Sequence, residues 1–377
     1  MDLVLTEEQE MLKKMASDFL TDKFPKAVVK EIEETESGYS PEIWKEMAEL
    51  GWMGLVFPEE YGGVDMSFLD LAMLLEEMGR ACLPGPYFST VMLGGLPILD
   101  VGSDKQKQEY LPGIASGKTI FTLALTEASA RYDAAGVEAK ATADKDGYIL
   151  NGTKLFVPDA HIADYMLCVA RTSDGAKPED GITIFIVDAK SPGISCNLLK
   201  TIANDKLCEV VFDQVKVPKE NILGEPDKGW TEVKKTVERA AAAKCCDMVG
   251  CLQEALDMTV AYAKERKQYG QPIGGFQVIQ HYCVDMFTDV EGARLSAYQA
   301  AWMISEGLPC AQEVAIAKAW ASFASPRVMA LAHQIHGAIG CTIDHDLQYY
   351  TRRASADGVT FGDASFYREV VAREMGL

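Results

Sequence analysis

The chain has 377 residues, 48% hydrophobic and 24% charged, with a formal net charge of −20. Such a length suits two or three domains, and the negative balance excludes a nucleic-acid or anionic-membrane surface, because phosphates are repelled over most of the exterior. It leaves room for an anionic ligand held by a few local basic groups.

The N-terminus, MDLVLTEEQEML, carries acids where a signal peptide carries Lys or Arg, and no apolar run reaches the roughly 18 residues of a membrane span. The ten cysteines have no repeating spacing. They read as reduced core residues of a cytoplasmic protein, not as a disulfide framework.

Three blocks follow in chain order, with boundaries at 1–120, 121–225 and 226–377. In the first, Leu5, Met11, Leu12, Met15 and Phe19 recur at helical spacing. FLDLAMLLEEMGRA is a second helix, after the loop FPEEYGGVD. Thr6 with Glu8 and Gln9 behind it, and Ser40-Pro41 before EIWKEMAEL, are helix starts.

The second block is built of short β-branched and aromatic runs: TIFTLALTE, YILNGTKLFV, YMLCVART, ITIFIVD and CEVVFDQVKV. DKDG, SDGAKPEDG and KSPG separate them as turns. This predicts an antiparallel β domain. No dinucleotide-binding glycine fingerprint lies between a strand and a helix, so a Rossmann fold is excluded.

The third block returns to helix. One long segment opens at Gly229-Trp230 and runs toward Lys264, with Val233, Val237, Ala241, Met248, Leu252 and Leu256 as its apolar stripe. A second runs through GLPCAQEVAIAKAWASFASPRVMALAHQIHGAIG. The fold class is therefore mainly α with a central antiparallel β domain.

Four segments, in order and at proper spacing, resemble the acyl-CoA dehydrogenase family over essentially the whole length. They are ALTEASARYDAAGV (124–137), NGTKLFVPDAHIAD (151–164), VVFDQVKVPKENILGEPDKGW (210–230), and YAKERKQYGQPIGGFQVIQH (262–281) paired with HQIHGAIG (333–340). The resemblance implies a helical domain, a β domain and a C-terminal four-helix bundle, assembled as a homotetramer or heterotetramer. It implies FAD between β domain, bundle and a neighbouring chain, an acyl-CoA thioester as substrate, and an electron-transferring flavoprotein or similar acceptor.

Carried over residue by residue, Leu125, Thr126 and Tyr132 belong to the flavin loop, with Thr126 bonding the pyrimidine side. Phe156 takes the place of an aromatic that packs on the flavin. Arg266 suits the pyrophosphate, and Gln268, Tyr269 and Gln277 follow at the family's offsets. Gln334, His336 and Gly337 offer further donors to the cofactor.

Departures from the family's pattern are as informative. Arg131-Tyr132 replaces a small Gly-Ser pair. Pro158 stands where a hydroxyl is directed at flavin N5, and proline has neither side-chain donor nor N–H. Phe361, before Gly362, occupies the position of the catalytic carboxylate, and a Phe accepts no proton.

Three acids are candidate bases. Asp363 is equally the cap of a helix beginning near Ala364. Glu238 lies on the long helix, about two residues out of register with the site some relatives use. Asp247 is three residues from Lys244, and that spacing makes an ion pair. His333 and His336 share a helix face, but no third metal ligand accompanies them, and no metal is expected. His345 follows nearby.

Two functions compete. In the first, the chain is an FAD-dependent acyl-CoA dehydrogenase for a cyclic, aryl-substituted or dicarboxylic thioester, with a non-standard base and with Arg131 and Lys244 available to a distal carboxylate. In the second, it is a non-catalytic partner that completes the FAD site of a Glu-bearing chain through Arg266, Gln277 and Gln334. A related flavoenzyme running reduction is a third reading.

Overall fold

The computed structural model describes residues 5–377; the first four residues of the N-terminal block lie outside the described residues. Helices α1 (Glu7–Lys23), α2 (Lys26–Glu34) and α3 (Pro41–Glu49) come first, then α4 (Phe68–Ala81), α5 (Leu96–Val101) and α6 (Asp104–Ala115). A π-helical stretch, Phe88–Gly95, leads into α5.

The strands are β1 (Phe121–Ala124), β2 (Lys140–Asp144), β3 (Gly147–Pro158), β4 (Tyr165–Arg171), β5 (Ile182–Asp188), β6 (Ile194–Leu198), β7 (Leu207–Pro218) and β8 (Ile222–Leu223). Helix α7 (Trp230–Glu265) is followed by a ribbon of β9 (Lys267–Gln268) and β10 (Gln271–Pro272). Helices α8 (Gln277–Ser305), α9 (Ala311–His336), α10 (Leu347–Asp357) and α11 (Ala364–Glu374) complete the chain.

The helix starts expected from sequence form as capped ends. Thr6 and Gln9 make a reciprocal capping box on α1, and Ser40 caps α3 with Pro41 at its first position.

Two compact units result. One comprises residues up to Lys30, Ser67–Leu83 and Glu238–Leu377; the other comprises Glu31–Met66 and Pro84–Val237. In the second unit the sheet runs β6-β7-β3-β2-β4-β5-β8, with β1 beside β4. The expected antiparallel character needs correcting at two pairings: β1 pairs β4 in parallel, Phe121 opposite Tyr165 through Ala124 opposite Cys168, and β2 meets β4 in parallel at Lys140 opposite Arg171.

Strand β7 alternates, burying Cys208, Val210 and Phe212 and then Val215 and Val217. The break falls at Gln214, whose φ is 54°. Its amide donates to Asn151 Oδ1 at 2.9 Å, and the register with β3 shifts beside it. This bulge returns the apolar side chains to the core face after one extra residue.

In the other unit, helices approach closely because small residues line them. A Cβ on Gly79 of α4 would lie 1.9 Å from the carbonyl oxygen of Asp247, and one on Gly250 of α7 would lie 1.8 Å from that of Glu76. The two helices therefore cross backbone to backbone, and a side chain at either glycine forces them apart. Glu76, buried at this crossing, is held by Lys13 (3.0 Å), Arg294 (3.3 Å) and the Tyr298 hydroxyl (2.5 Å).

Candidate active site

The residues implicated by sequence fall into two groups, one in each unit. In the β unit, the strand-end segment Leu125-Thr126-Glu127 is fixed by a feature the sequence reading missed. Lys154, fully buried on β3, donates to Glu127 Oε1 at 2.6 Å and to the Leu125 carbonyl at 3.1 Å. Glu127 also accepts the amides of Glu138 and Ala139, each at 3.0 Å. The same carboxylate thus ties together β3, the Thr126 turn and the return of the loop. An acid beside the Thr and a Lys inside a strand are the sequence signals; their contact across 27 residues is not visible in either alone.

The β3–β7 register shifts a second time between Lys154 and Val157. Within that shift the Leu155 amide donates to the Thr126 carbonyl at 2.8 Å. Phe156 takes a left-handed φ of 55° and is 52% exposed. The strand thus holds an aromatic side chain away from the core at the cost of a strained backbone conformation. Pro158 has only its carbonyl engaged, accepting the Thr122 hydroxyl at 2.5 Å, so it supplies no donor. Tyr132 is exposed. Arg131 is bound bidentately to Asp133 at 2.9 and 2.7 Å, with both side chains more than half exposed.

In the helical unit, β9 and β10 form a hairpin whose turn residues Tyr269 and Gly270 both have positive φ, 52° and 81°, the geometry of a primed turn. Tyr269 at the tip is 93% exposed. Arg266, Gln268 and Gln277 around its base are exposed as well. Arg266 makes no ion pair with any described residue, so a guanidinium stands open on a strongly acidic chain. At the end of α9, Gln334 is exposed. Gly337 has a φ of 65°, and a Cβ there would meet nothing within 4 Å.

His336 departs from expectation. It is buried, stacked on Tyr262 with centroids 4.6 Å apart, and its Nδ1 bonds the Ala332 carbonyl at 2.8 Å. His345 packs edge-on at 4.8 Å. Burial, and then His345 and His333, lower its pKa and oppose the cation despite the Ala332 bond. His333 bonds Thr351 at 2.8 Å. Among the described residues no group of three His, Cys, Asp or Glu is arranged to hold a metal, and no helix is long and apolar enough to cross a membrane.

The candidate bases are now placed. Asp363 caps α11, accepting the Phe366 amide at 2.8 Å. Asp247 is buried between Lys244 (3.1 Å) and Arg353 (2.9 Å). Burial alone would raise its carboxyl; Arg353 and Lys244 outweigh that and lower it. Lys244 also reaches Asp357 at 3.2 Å, so it is neutralised twice over. Glu238 is half-buried on α7. Phe361 sits in a left-handed conformation, φ 59°, before Gly362 at φ 112°. Its carbonyl accepts the Tyr367 hydroxyl at 2.9 Å.

These residues fit FAD where it needs an aromatic neighbour, a fixed strand-end carbonyl and an open cation. They do not supply a hydroxyl at position 158 or a carboxylate at 361.

Comparison with known proteins shows the family. The N-terminal, middle and C-terminal domain models of acyl-CoA dehydrogenase match residues 6–118, 122–215 and 227–376. A probable acyl-CoA dehydrogenase of Bacillus subtilis, YngJ, is 34% identical, with 100% of each chain covered. A 3-(aryl)acrylate reductase of Clostridium sporogenes is 34% identical over 99% of this chain and 100% of its own. The butyryl-CoA dehydrogenase structure from Megasphaera elsdenii superposes with a TM-score of 0.93 at 31% identity, each chain fully covered. The chain belongs to the acyl-CoA dehydrogenase family, and its cofactor is FAD.

Proposed function

We propose that this chain acts between Cα and Cβ of an acyl-CoA thioester whose acyl group is uncharged and carries an aryl or cyclic ring. The observation that carries the reading is the state of the two cations open to a distal carboxylate by sequence. Arg131 is closed on Asp133, and Lys244 lies between Asp247 and Asp357. Drawing Lys244 away takes one of two cations from the buried Asp247 and Asp357, leaving Arg353 alone against both carboxylates, and a buried charge so weakened is costly. A dicarboxylic substrate therefore has no ready partner, while a neutral ring needs none. The aryl substrate in the name of a relative at 34% identity points the same way.

FAD, when bound, supplies the acceptor for a hydride from Cβ. The chain's own residues do the rest. Glu127 and Lys154 hold the Leu125 and Thr126 backbone, Phe156 offers a ring face, and Arg266 with Gln268 and Gln277 offers charge and donors. Electrons leave to an electron-transferring flavoprotein or a similar acceptor. The exposed Val284 and Phe287, which line a groove of about 580 Å³ between α7 and α8, and the exposed Tyr269 and Leu295 suit burial against a neighbouring chain.

Glu238 is the third candidate base, on α7. Its two-residue offset favours the second reading: two residues turn an α-helix by about 200°, which aims Glu238 away from the side the family uses. In that reading the chain completes the FAD site of a Glu-bearing partner. The FAD-to-chain ratio of the protein expressed alone separates the two. A ratio near one supports a stand-alone flavoenzyme, and folded protein without FAD supports the partner subunit.

A further inference from the structure

Lys318 lies on α9 and is fully buried. Its ammonium donates to Ser322 Oγ at 3.0 Å, to the Asp357 carbonyl at 2.8 Å and to the Gly358 carbonyl at 3.4 Å. All three N–H groups are used, and none meets a carboxylate. Burying a cation against neutral oxygens is expensive, and a methionine or leucine would fill the same space without that cost. The arrangement needs a reason beyond packing.

The two carbonyls mark the end of α10, where orphan acceptors gather. Asp357 is thereby held at both ends, since its carboxylate meets Lys244 at 3.2 Å and Arg353 at 3.7 Å. One residue further, the chain enters the loop that carries the base position. The far end of that loop is fixed by the Asp363 cap and by Tyr367 on the Phe361 carbonyl. Between these anchors Phe361 is kept in a left-handed conformation. A Cβ on Gly362 would meet the Tyr367 and Phe366 rings at 2.7 and 2.8 Å.

We infer that Lys318 is a positioning residue: it clamps the start of the 358–362 loop so that the residue at 361 is presented in one conformation. The inference rests on the reading that this loop faces the acyl group, but its primary test needs no substrate.

The test uses FAD-loaded Lys318→Met and Lys318→Gln proteins and reads backbone amide exchange by segment. Exchange over 358–362 is expected to rise at least tenfold while α4 is unchanged. Thermal unfolding should be unchanged or higher in the Met variant, since a costly buried charge is gone. Lys318→Arg, which keeps charge and donors, should restore most of the protection. In a working enzyme the acyl-CoA KM should rise about tenfold at an unchanged FAD-to-chain ratio. Unchanged exchange over 358–362 overturns the inference, and so does uniform acceleration across the unit. Failure of both the Met and Gln variants to fold overturns it too, because the role is then structural. If no acyl-CoA is turned over but the exchange pattern appears, the clamp stands and only the functional reading fails.

Discussion

Replacing Glu127 by Gln tests the scaffold of the flavin-facing loop. In the native chain the Lys154 ammonium is 0% exposed and has two oxygens within reach, Glu127 Oε1 at 2.6 Å and the Leu125 carbonyl at 3.1 Å. Glutamine keeps the shape and one acceptor but removes the charge. Breaking a buried pair by losing one partner costs about 3–5 kcal/mol, a hundredfold or more in the folding equilibrium and a large part of the 5–15 kcal/mol typical of a domain. The double variant Glu127→Leu with Lys154→Met removes both charges, so it should recover part of that loss. Recovery stays incomplete, because the Glu138 and Ala139 amides lose their acceptor at roughly 1–3 kcal/mol each. Urea unfolding of the three proteins at equal FAD concentration measures this. FAD content should fall in the single variant, since the Leu125-Thr126 backbone loses its anchor. A loss below about 1 kcal/mol for Glu127→Gln, or a double variant far worse than the single, would refute the reasoning.

Asp363→Ala should lower stability by about 1 kcal/mol through loss of the α11 cap, leave turnover within a factor of two, and be rescued by Asp363→Asn; a tenfold loss of turnover in both makes Asp363 the base. Glu232 has its carboxyl raised by burial to about 7, against which Lys235 and Thr236 act. Its folded value exceeds the ordinary 4.5, so the stability it contributes is present at low pH and fades as pH rises from about 4.5 to 7. The loss totals about 3 kcal/mol, and Glu232→Gln should flatten that part of the stability–pH curve. Arg266→Ala should weaken FAD retention at least tenfold, read from flavin released on dilution, without shifting the melting temperature of the FAD-free protein.

Much of the helical framework is legible because capping and periodicity are local. Thr6, Ser40 and Asp363 announce their helices within three residues, and FLDLAMLLEEMGRA coincides with α4. Strands with strong apolar runs are legible for the same reason. Strand β2, Lys140–Asp144, is not, because only Ala141 of its five residues is buried. β6 is exposed or half-buried throughout. The parallel β1–β4 contact joins segments some forty residues apart, and no periodicity records a pairing partner.

At the candidate site, residue type was readable but engagement was not. Lys244 and Asp247 show their spacing, yet Arg353 and Asp357, which decide that the pair is closed, arrive from about a hundred residues away. His336 reads as a cofactor donor until Tyr262 and His345 are seen on its two sides. The bulges at Gln214 and Phe156 depend on how β3 and β7 register, which neither strand encodes alone.

The most direct measurement is anaerobic bleaching of the flavin's visible absorbance in FAD-loaded protein, titrated with neutral aryl- and cycloalkyl-acyl-CoA and with a dicarboxylic acyl-CoA. Bleaching by at least one ring-bearing thioester is expected, with an at least tenfold weaker response to the dicarboxylic one. Bleaching by the dicarboxylic thioester alone, or by none at one FAD per chain, would contradict that expectation.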